Sequence, residues 1–277
     1  MTCGWHLAIL SVSKPSTSGP DAGVETGYEA TFDFPARHAA PVQPYLLATV
    51  PRSGSTFLSH VLWQTGCLGA PLEYLNFDPA GPYGHANASP AAQDRLWLSA
   101  VQLRTSPNGV FGLKGFPTQF EALAHGNPEL LKRVMRQLLP SRAGSRIVFL
   151  RRRDRTAHAI SYARAILSGV WRQEQESAAR SEPDYSPVAI ERAVRLIDEQ
   201  EASWETMFDD LRVAPLTLWY EDVVADPNGA SAAVAAHLGV GLDPAAKVAI
   251  PPIRRQNQEG ARAWAARHRA ASRSDPA

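Results

Sequence analysis

"YLLATVPRSGSTFLSHVLWQTG", residues 45–66, passes from an apolar run through a small polar turn into a helical pattern. Residues 45–50 read as a strand buried on both faces. Behind them Phe57, Leu58, Val61 and Leu62 recur at helical spacing, with Gly66 where a C-terminal cap belongs. Between the two the chain breaks at Pro51 and passes Arg52, Ser53, Gly54, Ser55 and Thr56. A strand, a glycine-bearing turn and a helix N-terminus in succession present backbone N–H groups and hydroxyls to an anion, a phosphate or a sulfate. For this turn taken alone, hydroxyls that merely cap the helix are the leading reading.

The rest of the composition narrows what such a turn can belong to. With 277 residues, 44% of them hydrophobic, the chain can bury a sizeable core as one α/β domain, or one domain and a tail. A net charge of +1 supplies no global field for nucleic acid or a membrane surface. The basic residues are nonetheless uneven: Arg151, Arg152, Arg153 and Arg155 fall together, and Arg254 with Arg255 form a second pair, which suggests local anion binding. Cys3 and Cys67 are the only cysteines and form no CxxC pair, so neither a disulfide framework nor a thiolate metal site is expected. A reducing, cytoplasmic setting follows. "WHLAIL" near the start is too short for a signal segment, and no later run approaches the length of a membrane span. The eight histidines show no ligand spacing, so no metal is expected either.

Residues 11–44, rich in Ser, Pro, Gly and Ala with little periodicity, read as a flexible extension, which puts the domain boundary near Pro44: an N-terminal extension over 1–44 and one domain over 45–277. Strands are expected at 45–50, 110–114, 146–150 and 215–220. Further helices are expected at 128–139, 155–168, 187–212, 229–238 and 259–269. Alternating pieces of this kind give a parallel sheet covered by helices, here with a P-loop-like turn after the first strand. Residues 76–95 read as a long substrate loop.

The opening turn is not the commoner nucleotide loop. G-x-x-x-x-G-K-[ST] is absent: no glycine precedes Gly54 at the required distance and no lysine stands before the hydroxyl. G-x-S-x-G is absent too, so Ser53 and Ser55 have no nucleophile elbow. The turn resembles instead the phosphosulfate-binding loop of sulfotransferases, which grips the donor 3′-phosphoadenosine 5′-phosphosulfate (PAPS). Three further segments are similar to that superfamily. They are "RIVFLRRRDRTAHAISY", with an arginine at a strand end and a serine about two helical turns on; "LTLWYEDVVADPNGASAAVAAHLGV"; and the basic "IRRQNQEGARAW". Within the superfamily the likeness is to the bacterial trehalose 2-sulfotransferase family, carried by Arg-Ser-Gly-Ser-Thr, a helix ending in Thr-Gly, "GAPLEY", "PNGVFGLK" and Val-Trp-Arg. Ala70 departs from an acidic residue expected in the Gly-x-Pro stretch.

That resemblance implies roles. Arg52, with the turn residues Ser53, Gly54, Ser55 and Thr56, would hold the 5′-phosphosulfate. Arg152 and Ser161 would hold the 3′-phosphate, with Arg151 and Arg153 as competitors for Arg152's place. Tyr220 would contact adenine, against a role as a core tyrosine, and Arg255 and Gln256 would close over the donor. Many sulfotransferases carry a histidine base two residues after the second-strand lysine, but Phe116 stands there. Glu73 matches the glutamate that serves the trehalose family as general base, and an enclosed sugar site would raise its pKa. Lys114 would steady the sulfuryl oxygens. His60, Trp171 and Trp264 read as packing residues and Phe57 as core. The reading is a PAPS-dependent sulfotransferase acting on a carbohydrate or glycolipid acceptor, without metal, and as a homodimer by family likeness. A nucleotide-dependent kinase and a non-catalytic PAP- or PAPS-binding protein are the alternatives.

Overall fold

The computed structural model describes residues 25–140, 145–171, 182–252 and 258–274. Four parallel strands form one sheet in the order β2-β1-β3-β4: β1 (Gln43–Ala48), β2 (Val110–Gly115), β3 (Ile147–Arg151) and β4 (Leu216–Trp219). Each is a short apolar run, as a parallel sheet buried on both faces requires. In β1 the side chains alternate between two cores. Leu46 and Ala48 join the larger cluster with Phe111, Leu113 and Phe149, whereas Tyr45 and Leu47 join Leu58, Leu62, Val148 and Val234 on the other face.

The helices are α1 (Ser55–Gln64), α2 (Pro90–Arg104), α3 (Pro117–Gly126), α4 (Pro128–Leu138), α5 (Arg155–Ser168), α6 (Pro187–Leu211), α7 (Tyr220–Ala225), α8 (Pro227–Leu238) and α9 (Glu259–Ser274). Five of them have proline in the first turn, where its missing N–H costs nothing. Among the described residues no helix is long and apolar enough to cross a membrane. Because β1 pairs with β2 on one side and β3 on the other, the strand order reverses beside β1. A crevice therefore opens at the carboxyl ends of these strands, the usual ligand position in such sheets.

The expected strands and helices are all present with shifts at their ends, and three helices are additional. The expected substrate loop ends early, since α2 begins at Pro90; no helix was expected at α3 or at the short α7. The expected flexible extension is corrected over 25–42. Phe34 is buried, Phe34 N donates to Leu103 O at 2.8 Å and Arg37 N to Gln102 O at 2.9 Å. Residues 1–24 lie outside the described residues.

Candidate active site

The strands each deliver a side chain to the crevice. After β1, Gly54 caps α1 in the left-handed region at φ +92°, and the first helical bond runs from Leu58 N to Gly54 O, leaving the N–H groups of Ser55, Thr56 and Phe57 outside the helical ladder. No side chain caps this end. The hydroxyls are therefore not spent on capping, and Ser55 and Thr56 line the cleft. Gly54 is required here for a second reason: a Cβ would lie 2.1 Å from Cδ2 of Tyr220, whose ring lies against the turn. Arg52 is also left-handed, at φ +68°, a conformation that costs a non-glycine residue about 1–3 kcal/mol and turns its side chain across to α5. There Nε donates to Ser161 Oγ at 3.0 Å and Nη1 to Trp171 O at 2.7 Å.

The arginine run after β3 separates by partner. Arg151 pairs with Glu201 at 2.5 Å and Glu205 at 3.0 Å. Arg153 forks onto Asp222 at 2.5 and 2.7 Å. Arg152 alone of the three lines the cleft. Its guanidinium lies 5.1 Å from the centre of the Tyr220 ring, and its buried Nε has no hydrogen-bond partner among the described residues. A buried donor left this way fits an incoming anion.

A carboxylate borders the same cleft. A parallel bridge joins Leu72 to Leu113, with Lys114 N donating to Leu72 O at 3.1 Å, and so brings Glu73 beside the end of β2. Lys114 Nζ is 3.0 Å from Glu73 Oε1 and 3.3 Å from Thr56 Oγ1. Asn76 Nδ2 donates to Glu73 Oε2 at 2.8 Å. Both oxygens of Glu73, expected from the sequence as a carboxylate facing an enclosed sugar site, are thus held, one by Lys114 and one by Asn76. His60 also lines the cleft. Its Nδ1 meets Thr56 O at 2.8 Å, and burial, assisted by Lys114, pushes it down to about 4.

The α1 N-terminus, Arg52, Arg152, Glu73, Asn76, Lys114 and His60 border one cleft of about 1220 Å³, larger than the usual range for a single small ligand. The Stf0 sulphotransferase family model matches residues 44–271. This chain belongs to the Stf0 sulphotransferase family. It is similar to the trehalose 2-sulfotransferase of Mycobacterium tuberculosis (strain ATCC 35801 / TMC 107 / Erdman), at 28% identity over 264 residues, covering 83% of this chain and 95% of that protein. It is also similar to the trehalose 2-sulfotransferase of Mycolicibacterium smegmatis (strain ATCC 700084 / mc(2)155), at 24% identity over 275 residues, covering 83% and 96%. Among solved structures, a sulfotransferase domain from the curacin biosynthetic pathway aligns with a TM-score of 0.44 and 15% identity over 75% of this chain and 77% of that one.

Within this Stf0 sulphotransferase, Arg52, Gly54, Ser55, Thr56, Glu73, Lys114, Arg152, Ser161 and Tyr220 all border the cleft. Ser53 does not. Its hydroxyl pairs with Thr49 Oγ1 at 2.6 Å and its N–H donates to Val50 O at 3.2 Å, so this expected ligand group is turned into the core and its donors are used internally. Arg255 and Gln256 lie outside the described residues. Trp171, expected as a buried anchor, is 38% exposed and acts through its carbonyl on Arg52, whereas Trp264 is buried and donates to Pro183 O at 3.3 Å. Ala70, at the departure from the family pattern, is fully buried and away from the cleft. Asn76 and Tyr28 were missed. Asn76 stands one helical-turn spacing after Glu73, a signal available in the sequence; Tyr28 sits in a stretch with no periodicity to mark it.

Proposed function

We propose that this Stf0 sulphotransferase moves a sulfuryl group from PAPS to a hydroxyl of a carbohydrate in the cytoplasm. The observation that carries the reading is convergence on one cleft. The α1 N-terminus, Arg52 and Arg152 border it together with Glu73, which is held by Lys114 and Asn76. The two trehalose 2-sulfotransferase relatives support a sugar acceptor.

In this reading the α1 N–H groups, the hydroxyls of Ser55 and Thr56, and Arg52 hold the 5′-phosphosulfate and take up charge on the phosphate oxygen as its bond to sulfur breaks. Arg152, with Ser161, holds the 3′-phosphate, and the Tyr220 ring offers an apolar face for adenine. Glu73 accepts the proton of the attacking hydroxyl as the new oxygen–sulfur bond forms, leaving a sulfate ester and PAP. Lys114, touching both Glu73 and Thr56, stands between base and donor loop and balances charge on the sulfuryl oxygens.

The test is incubation of the purified protein with PAPS and a panel of sugars including trehalose, read by mass spectrometry. A product heavier by one sulfuryl group is expected; a phosphorylated product from ATP and Mg²⁺, with nothing from PAPS, overturns the reading.

A further inference from the structure

Residues 25–43 precede the stretch that matches the family model, yet they form part of the cleft wall. Glu25, Thr26 and Tyr28 line it beside Glu73 and Asn76. The segment is fastened by a buried arginine. Arg104 on α2 gives Nη1 to Gly27 O at 2.9 Å, Nη2 to Glu29 O at 3.1 Å and Nε to Asp33 at 2.9 Å, with its guanidinium 5.6 Å from the Trp63 ring centre. Every nitrogen of that side chain is committed to residues 25–34, which is how a buried arginine becomes tolerable. Within the segment the Glu29 carboxylate accepts from Thr26 N, Thr26 Oγ1 and Gly27 N at 2.7–2.8 Å, closing a tight turn around Gly27 at φ +89°.

The turn aims Tyr28 at the base. Its ring meets Tyr83 edge-on at 5.5 Å, and its hydroxyl accepts from the backbone N–H of Glu73 at 3.1 Å. Glu73 is thereby fixed from the backbone by Tyr28 and from the side chain by Lys114 and Asn76.

We infer that residues 25–34 are a functional part of the acceptor end of the site, with Tyr28 the positioning residue for Glu73 and Glu25 and Thr26 facing the acceptor. The inference rests on the proposed role of Glu73. A group shifted by a fraction of an ångström loses rate without losing fold, so Tyr28 acts on turnover rather than on donor binding.

Tyr28→Phe keeps the ring against Tyr83 and deletes only the hydroxyl. In the full chain, with PAPS and the best acceptor of the sugar panel, kcat should fall about threefold to tenfold. The melting temperature and its increase with PAP should stay unchanged. If the wild-type chain sulfates no sugar on the panel, PAP release from PAPS in water is read instead. Unchanged turnover in Tyr28→Phe overturns the inference, as does an equal loss of PAP binding. If neither PAP binding nor PAPS consumption is found in the wild type, the proposed function itself fails. Amide hydrogen exchange at Glu73 then decides the positioning role: faster exchange in Tyr28→Phe supports it and identical exchange sinks it.

Discussion

Lys114 Nζ lies 3.0 Å from Glu73 Oε1 and 3.3 Å from Thr56 Oγ1, so one buried ammonium spans the acceptor side and the donor side of the cleft. A lysine at a strand end otherwise has to reach water along its stem. Here it is retained in the interior by a carboxylate, and the carboxylate in turn is oriented by it. In the proposed reaction this pair would set the direction of transfer: proton to Glu73, sulfuryl group past Lys114, charge onto the loop after β1.

Glu73→Gln keeps the shape and the bond to Asn76 while deleting the proton acceptor. Turnover should fall by roughly 10²- to 10⁴-fold, with the PAP-induced rise in melting temperature preserved. Because the change leaves buried Lys114 without its carboxylate, stability should fall in either case; the discriminating readout is PAP binding, which a purely structural glutamate would lower along with turnover. Near-normal turnover in the variant at neutral pH would transfer the role elsewhere, with His60 the next group to test.

Gly54→Ala should disable the donor loop. The added Cβ meets the Tyr220 ring at 2.1 Å, and φ +92° is strained for alanine whatever the space. Loss of PAP binding and a drop in stability of about 1–3 kcal/mol are expected. Adding Tyr220→Ala relieves the clash and leaves the backbone strain, so the double variant should recover part of the stability. Wild-type PAP affinity in Gly54→Ala would refute the close packing of turn and ring.

How much of this was readable in advance depended on whether a residue's neighbours were local. The strand, turn and helix around Gly54 follow from spacing alone, and the run Arg151–Arg155 suggests local anion binding without showing which arginine is available for it. Sequence cannot choose among Arg151, Arg152 and Arg153, because the choice is made by Glu201, Glu205 and Asp222 on α6 and α7, which occupy the two outer arginines. Helix α2 was missed because its buried face is Gln93, Trp97, Ala100 and Arg104, helical in spacing but half polar. The wall built from residues 25–34 was missed for a related reason: its order comes from Arg104, dozens of positions away, and not from any pattern of its own. Ser53 faces away from the cleft because its hydroxyl pairs with Thr49 and its N–H donates to Val50, both within five residues of chain.

Arg152→Ala should separate two ligands. PAP carries a 3′-phosphate and adenosine 5′-phosphosulfate does not, so affinity for PAP should fall by roughly 10- to 100-fold, as loss of a charge-assisted contact implies, while affinity for adenosine 5′-phosphosulfate falls far less. Arg153→Ala, which breaks an exposed pair with Asp222 and a contact over the Trp219 ring, should change neither. Isothermal titration with both ligands checks this, and equal losses in Arg152→Ala would remove Arg152 from the 3′ position.

The buried histidine behind the donor loop makes stability depend on pH. His158 is fully buried with Nε2 2.8 Å from Pro51 O, and because a carbonyl only accepts, Nε2 carries the proton. Nδ1 is then a buried lone pair without a partner among the described residues. Burial first, then the nearby charges of Arg152, Arg155 and Arg52, push this histidine down to about 4, against the Pro51 bond that favours its charged form. Unfolded, it titrates near about 6.5. Between those values the unfolded chain binds the extra proton, so stability rises with pH there. The contribution is fully present above the unfolded value and is lost as pH falls toward the folded one. From pH 7 to pH 5 the loss should be on the order of 2 kcal/mol. His158→Gln can still donate to Pro51 O and does not titrate. Denaturant midpoints measured for both proteins across this window should converge at pH 5 relative to pH 7, and parallel pH profiles would show that His158 is not held neutral beside the loop.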